Sequence, residues 1–172
     1  MKKFAAMIVI FASLSALAQS GAQSKAPCAH DPAHRQFDFW VGEWDVKATG
    51  NESGPSIGAS RIEMIEGGCL ILENWTGAGG GTGKSFNFYD RSLKKWRQVW
   101  IDNKGNALDF AGEYRDNRML YEGETAGPNG KTLQRMTFFN LGANRVRQFW
   151  EQSTDGGKTW TVTFDGMYIR KK

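Results

Sequence analysis

Hydrophobic and polar residues alternate along most of the chain after residue 36, and short turn-rich segments interrupt the alternation. A period of two places successive side chains on opposite faces of a β-strand. Glycine, proline, asparagine and aspartate favour the tight turns that separate strands. The pattern therefore predicts nine or ten strands with short connections, in the segments FWVGEWDVKAT, GASRIEMIE, CLILENWT, KSFNFYD, KWRQVWID, ALDFAGEY, RMLYEGET, KTLQRMTFF, RVRQFWEQ and KTWTVTFDGMYIR.

Before the first strand, the sequence DPAHRQ predicts a single helical turn. Asp31 suits the N-cap, and Pro32 suits the first helical position because no hydrogen bond is lost there. No longer amphipathic helix is indicated, so consecutive strands should form an antiparallel meander. A large meander usually closes, since closure removes edges that aggregate. The predicted fold is all-β, an antiparallel up-and-down barrel of about 8–10 strands with a short N-terminal helical turn.

The alternation also assigns one face of each strand to the barrel interior. In RVRQFWE the charged positions must contact water, so Gln148 and Trp150 point inward, and the same argument places Gln98 and Trp100 inside. In the last segment, parity places four side chains inside: Trp160, Val162, Phe164 and Tyr168. The candidate ligand-binding residues are inward-facing aromatic and amide side chains, namely Trp44, Gln98, Trp100, Phe110, Tyr114, Gln148 and Trp150.

Gln98 and Gln148 lie in the near repeats WRQVW and VRQFW, and a tryptophan follows each of them two residues later. A buried amide without hydrogen-bond partners costs about 1–3 kcal/mol. Either neighbouring side chains or water satisfy these amides, or a bound ligand does. Structural satisfaction is the commoner case, and the sequence leaves both interpretations open.

Parity does not decide the inner face of two strands. In SFNFYD, either the two phenylalanines point inward, or Asn87 and Tyr89 do. In CLILENW, Glu73 either contacts water or shares the inner face with Trp75. Because buried glutamate is rare, the surface position is favoured. An inward Glu73 would have its pKa raised by desolvation and would be a candidate acid.

The first residues have the organisation of a secretory signal peptide. Lys2 and Lys3 form a positive region, residues 4–17 are a short apolar stretch, and residues 16–18 are a small-x-small cleavage site. A spanning helix needs ~20 strongly apolar residues, so no stable membrane anchor is expected. We therefore predict a periplasmic or secreted protein, organised as a signal peptide at 1–18, an N-terminal segment with the helical turn at 19–36, and one barrel domain at 37–172.

Three functional classes lack support. The formal charge of +4 falls to +2 when Lys2 and Lys3 leave with the signal peptide, and basic residues are scattered, so no nucleic-acid partner is expected. GAGGGTGKS at 77–85 loosely matches a phosphate-binding loop, but that loop must open a helix. An aromatic strand follows instead, so the glycines suit a hairpin and no nucleotide is expected. His30 and His34 are the two histidines of the sequence, and without a further histidine or an acidic pair near them a metal site is only weakly supported. No strand carries a histidine, so no haem cofactor is expected.

The chain holds two cysteines, Cys28 and Cys69. In an exported protein, an even cysteine count favours a disulfide. There is no CxxC pair, so neither a redox motif nor a cysteine zinc site is supported. We predict a Cys28–Cys69 disulfide, with two buried free thiols as the alternative.

The segment FDFWVGEWDV at 37–46 contains Gly42, Glu43 and Trp44 in an arrangement that resembles the G-x-W signature of lipocalins and related calycin barrels. Together with GGCLILENW, NFYD, WRQVWID and RQFWEQSTDGGKTW, it resembles an uncharacterised family of secreted bacterial proteins with a lipocalin-like fold. The resemblance covers most of the mature chain and implies a fold rather than an activity. Two departures from well-studied lipocalins argue against a large ligand cavity: a strand count above eight and a lumen filled by aromatic side chains.

Small-molecule binding is the leading functional interpretation. The ligand would be a small apolar, aromatic or planar molecule, held by Trp100 and Trp150 and by the two glutamine amides. The first alternative is a cofactor-free enzyme of lyase or isomerase type. Phenolic acid decarboxylases, which are calycin barrels, use a lumenal glutamate with tyrosine, and this would implicate Glu73, Tyr89 and Tyr114. The second alternative is a packed structural domain that contacts partners through its loops. Binding is favoured over catalysis.

Overall fold

A computed structural model describes residues 27–127 and 130–172. In these residues, ten antiparallel strands form one closed barrel, each pairing with its neighbours in sequence, and β1 closes the barrel against β10. The predicted all-β, up-and-down barrel is confirmed. The strands are β1 (Gly42–Ala48), β2 (Ser56–Ile65), β3 (Leu70–Gly77), β4 (Thr82–Asp90), β5 (Lys95–Asp102), β6 (Ala107–Arg115), β7 (Arg118–Gly127), β8 (Gly130–Asn140), β9 (Arg145–Ser153) and β10 (Thr161–Arg170).

The predicted helical turn is also confirmed, as α1 (Pro32–Arg35). The Asp31 carboxylate accepts a hydrogen bond from the Ala33 amide at 3.0 Å, which supplies one of the partners that a helix N-terminus lacks. A single 3-10 turn, Asp38–Trp40, follows and leads into β1. We call residues 28–41 the N-terminal plug, because they cross one end of the barrel.

The plug fills its half of the lumen with aromatic rings. Phe37 and Trp40 are completely buried, and their rings stack with centroids 5.0 Å apart. Phe138 of β8 packs against both, at 5.1 Å from Phe37 and 4.6 Å from Trp40. Large aromatic side chains dominate the energetics of a core. The expected aromatic filling is therefore present, but only in the half of the barrel next to the plug.

A disulfide ties the plug to the β2–β3 connection. Cys28 and Cys69 are bonded, with Cα atoms 5.0 Å apart, which confirms the predicted bridge. The Arg35 guanidinium donates a hydrogen bond to the Gly68 carbonyl oxygen beside it. The plug is thus held by a covalent bond as well as by its buried rings.

Trp44 of the G-x-W stretch belongs to this closed end. Its side chain is fully buried, and its indole N–H donates to the Trp40 carbonyl oxygen at 2.8 Å. The Arg170 guanidinium lies 4.2 Å from the Trp44 ring centroid and donates to the Val41 carbonyl oxygen at 3.0 Å. A cation–π contact between Arg170 and Trp44 therefore joins the last strand, β10, to the first strand, β1.

The glycine-rich segment forms the β3–β4 hairpin and has no nucleotide-loop geometry. The Gly77 amide donates to the Gly81 carbonyl oxygen at 2.7 Å, and the Gly80 amide donates to the Gly77 carbonyl oxygen at 3.0 Å. Gly80 has a φ of +82°, which glycine adopts without steric cost. Strand β4 follows directly, so no helix N-terminus faces the loop.

Parity was wrong at the start of the last strand. The register of β10 against β9 shifts between Val162 and Phe164, and Val162 is 52% exposed. Trp160 lies before the strand, where the Arg135 guanidinium is 4.0 Å from its ring centroid. The irregularity moves these two side chains to the outer surface, whereas Phe164 and Tyr168 contact the core as predicted.

The disulfide bears on the cellular location of the protein. Disulfides are typical of oxidising compartments outside the cytoplasm, and this chain has one. None of the helices in residues 27–127 and 130–172 has the length and apolar character needed to cross a membrane. The predicted signal peptide at 1–18 lies outside the described residues.

Candidate functional site

A cavity of about 160 Å³ occupies the half of the lumen away from the plug. Six of the ten strands contribute to it: β3, β5, β6, β8, β9 and β10. Its lining is mainly aromatic, with a small number of polar groups: Glu73, Trp75, Gln98, Trp100, Leu108, Phe110, Met136, Gln148, Trp150, Phe164 and Tyr168.

The polar and aromatic groups form two layers. On β3, β5 and β9, a polar residue precedes a tryptophan by two positions, and all three pairs line the cavity: Glu73 and Trp75, Gln98 and Trp100, Gln148 and Trp150. These three strands run in the same direction, away from the plug, and two residues advance a strand by about 7 Å. The polar residues therefore form the floor, and the tryptophans form the wall nearer the mouth.

Glu73 points into the barrel, so the surface position favoured from sequence was wrong. Only 5% of the residue is exposed. Its carboxylate oxygens accept hydrogen bonds from Ser60 Oγ at 3.0 Å and from Ser85 Oγ at 2.8 Å. The two serines belong to the strands on either side, and they supply the donors that a buried carboxylate needs. These hydrogen bonds reduce the free-energy cost of burying the Glu73 carboxylate.

Burial raises the pKa of Glu73 to about 7, and the hydrogen bonds from Ser85 and Ser60, together with the nearby Tyr168 hydroxyl, oppose this rise. Burial also raises the pKa of the Tyr168 hydroxyl well above its usual value, and the nearby Glu73 carboxylate raises it further. The floor therefore holds a glutamate that exchanges its proton near neutral pH beside a tyrosine that stays neutral.

The inner face of β4 carries Ser85 and Asn87, both fully buried, whereas Phe86 is 36% exposed. Asn87 donates to Ser85 Oγ at 2.9 Å and accepts from the Gln98 amide at 2.8 Å. The undecided strand is therefore polar inside. A continuous chain of hydrogen bonds runs from Glu73 to Gln98 along the floor.

Neighbouring protein groups satisfy part of both glutamine amides. The Tyr168 hydroxyl donates to Gln148 Oε1 at 2.6 Å, and the Gln148 amide lies 2.9 Å from Met136 Sδ. Gln98 bonds to Asn87, as described above. Protein groups thus satisfy the Gln98 amide N–H and both polar groups of Gln148, and both residues still line the cavity.

Glycines create the space in which two of the wall tryptophans lie. A Cβ on Gly83 would stand 2.3 Å from Trp100, and a Cβ on Gly58 would stand 2.3 Å from Trp75. Neither distance is physically allowed, so each indole occupies the volume of the absent side chain. Tryptophan rings packed against strand glycines leave the centre of the lumen open.

Gly83→Ala should push the Trp100 ring toward the cavity and destabilise the protein by about 1–3 kcal/mol through overpacking. Urea denaturation measures the free energy of unfolding, and near-ultraviolet circular dichroism reports the tryptophan environment. Gly81→Ala is the matched control, since nothing lies within 4 Å of its Cβ position. Equal stability and spectra for the two variants would contradict the proposed role of Gly83.

The structure brings five of the seven predicted ligand-binding residues to the cavity: Gln98, Trp100, Phe110, Gln148 and Trp150. Trp44 and Tyr114 face inward but lie at the plugged end. The Tyr114 hydroxyl donates to Asn117 Oδ1 at 3.0 Å, and its ring packs 6.2 Å from that of Phe39. Parity assigns a face but not a height along the barrel axis, so it does not distinguish these two residues from those that line the cavity. Tyr89 is also remote from Glu73, with its ring 5.4 Å from that of His34.

Six of the residues that line the cavity lie outside the predicted ligand-binding set. Two of them, Glu73 and Tyr168, lie on the floor of the cavity. Tyr168 was expected to face inward but was not predicted to contact a ligand. One signal was available for Glu73, because Glu73-x-Trp75 has the same polar-x-Trp spacing as the two glutamine segments. The other residues absent from the prediction are Trp75, Leu108, Met136 and Phe164.

Among the residues that the structure describes, the site has no recognisable metal cluster, and the chain matches no known family model. In the described ranges, no group of three or more His, Cys, Asp or Glu side chains is placed to hold a metal ion. No protein-family model and no curated protein sequence matches the chain.

Proposed function

We propose that the protein binds a small molecule in the open half of its barrel. The observation that carries the proposal is the cavity of about 160 Å³ with tryptophans in its wall and polar groups on its floor. Binding sites for small molecules are typically apolar concavities with a few oriented polar groups. The residues proposed to contact the ligand are Gln98, Trp100, Phe110, Gln148 and Trp150, together with Glu73 and Trp75.

The volume limits the size of the ligand. An engineered apolar cavity of about 150 Å³ accepts benzene, whereas drug-sized ligands occupy about 300–1,000 Å³. The proposed ligand is therefore one substituted ring or an aliphatic molecule of similar bulk. Its apolar body would contact the tryptophans, and its polar group would reach the floor.

Two further features support the proposal. The resemblance to secreted bacterial proteins with a lipocalin-like fold supports a barrel that has an interior, and we propose membership of that family. The N-terminal sequence and the Cys28–Cys69 disulfide support export to the periplasm or the exterior. Small molecules that diffuse into that compartment would be the available ligands.

Ligand-observed NMR with phenol and toluene as probes tests the proposal. Wild-type protein should bind both, since each has a single ring, and Gly83→Ala should bind neither, because Trp100 would fill the space. Gly81→Ala should behave as wild type. Failure of the wild-type protein to bind either probe, or equal binding by Gly83→Ala, would overturn the proposed site.

Gln148→Leu should weaken phenol binding and leave toluene binding unchanged, because leucine keeps the bulk but removes the polar contact. The unfolding free energy should also fall by about 1–3 kcal/mol, since Tyr168 loses its acceptor. Native mass spectrometry or calorimetry gives the affinity, and denaturation gives the stability. Unchanged phenol affinity would show that Gln148 contacts no ligand.

Catalysis is a second candidate function, and the environment of Glu73 favours it. A carboxyl group with a pKa of about 7 suits general acid–base chemistry at neutral pH. Tyr168 would be its partner, instead of the Tyr89 and Tyr114 considered from sequence. A bound compound whose mass or NMR spectrum changes with time in wild type, but not in Glu73→Gln, would favour this function over simple binding.

A further inference from the structure

The cavity has an unbalanced charge. Among its lining residues Glu73 is the one acidic group, and no lysine, arginine or histidine lines the cavity with it. The other titratable group that faces Glu73 is Tyr168, from β10, and burial keeps its hydroxyl protonated. The carboxylate also accepts hydrogen bonds from the hydroxyls of Ser60 from β2 and Ser85 from β4, which are neutral.

Within residues 27–127 and 130–172, no lysine, arginine or histidine side chain is paired with the Glu73 carboxylate. Its pKa is set by burial and by hydrogen bonds, with no contribution from a charged neighbour. Buried ionised groups are normally paired, because an uncompensated charge in a low-dielectric interior is costly. The Glu73 carboxylate lies on the floor of the cavity and has only neutral hydrogen-bond donors behind it. A positively charged ligand in the cavity would therefore serve as its counter-ion.

The wall above Glu73 also suits a cation. Trp75, which follows Glu73 by two residues, packs edge-on to Phe164 with centroids 5.9 Å apart, and Trp100 and Trp150 complete the wall. Aromatic rings attract cations through their quadrupole, and tryptophan does so most strongly. An anionic ligand would find neither a protein cation nor a favourable ring.

We infer that the ligand is a small organic cation, a protonated amine on a one-ring or similarly sized apolar body, with its ammonium group against Glu73 and its body among the tryptophans. This inference rests on the proposed binding function and names its ligand class. The amine N–H groups would donate to the Glu73 carboxylate, and the floor hydroxyls would keep their own bonds to it.

Three probes of nearly equal shape test the charge preference: benzylamine, benzyl alcohol and benzoate. By calorimetry at pH 7, wild-type protein should bind benzylamine at least about tenfold more tightly than benzyl alcohol, as expected for a charge-assisted contact. Benzoate should not bind measurably. Glu73→Gln preserves the side-chain shape, and it should lose the preference for benzylamine while still binding benzyl alcohol.

A proton count gives an independent readout. Glu73 is close to half-protonated at pH 7, so pairing with an ammonium group should release part of a proton. Heats of benzylamine binding should therefore differ between buffers of different protonation enthalpy, and this difference should vanish in Glu73→Gln. Glu122→Gln, on the exposed face of β7, is the control and should match wild type.

The outcomes separate the two proposals. Benzyl alcohol or benzoate bound as tightly as benzylamine, or an unchanged preference in Glu73→Gln, would overturn the cation inference and leave the binding site intact. Failure of all three probes to bind folded wild-type protein would overturn both proposals together.

Discussion

Replacing Cys28 and Cys69 with alanine should lower the free energy of unfolding by about 4 kcal/mol in the chain-entropy model. The bridge joins positions 41 residues apart, so its loss frees a long loop in the unfolded chain. For a chain of this length the melting temperature should fall by roughly 10 °C. Chemical denaturation measures the first quantity, and calorimetry measures the second.

Reduction of the wild-type protein is the matching experiment, since it breaks the same bond without changing the sequence. The two losses should agree, apart from the contacts of the buried Cys28 side chain. If the alanine variant is as stable as wild type, the barrel and the buried rings of Phe37 and Trp40 alone hold the plug in place.

Raising the pH from about 4.5 to about 8 should destabilise wild-type protein by about 3 kcal/mol relative to Glu73→Gln. Burial raises the pKa of Glu73 from 4.5 to about 7 in the folded protein. Between these values the folded protein keeps a proton that the unfolded chain has lost. The stability from protonated Glu73 is complete below about pH 4.5 and is lost as the pH rises through about 7.

Urea denaturation of both proteins at several pH values gives the difference directly. Other titrating groups are shared by the two proteins and cancel in the comparison. Glu122→Gln, at an exposed position, should follow the wild-type curve. Parallel curves for wild type and Glu73→Gln would mean that Glu73 is solvated in the folded protein.

The strands and their order were predictable because alternation and turn residues are local signals. Gln98 with Trp100 and Gln148 with Trp150 were correctly placed inside, since charged residues mark the outer face of their strands. Val162 and Trp160 were misplaced because a register shift breaks parity without a strong local signal. At such a position, alternation no longer tells which side of the sheet the next side chain is on.

The site was harder to predict than the fold, because it depends on contacts between strands. The inward position of Glu73 is made tolerable by Ser60 and Ser85, which are remote from it in sequence. Trp44 and Tyr114 do not line the cavity, because the N-terminal plug fills the part of the barrel in which they lie. Neither fact follows from the pattern of a single strand.

The pairing of β1 with β10 also determines when the barrel can close during folding. Val46 faces Tyr168 across this seam, so residues made early must wait for residues made almost last. Until β10 arrives, β1 and β9 each present an unpaired edge, and such edges recruit other chains. Contacts this distant in sequence form slowly. The growing chain is therefore most vulnerable to aggregation just before its final strand is added.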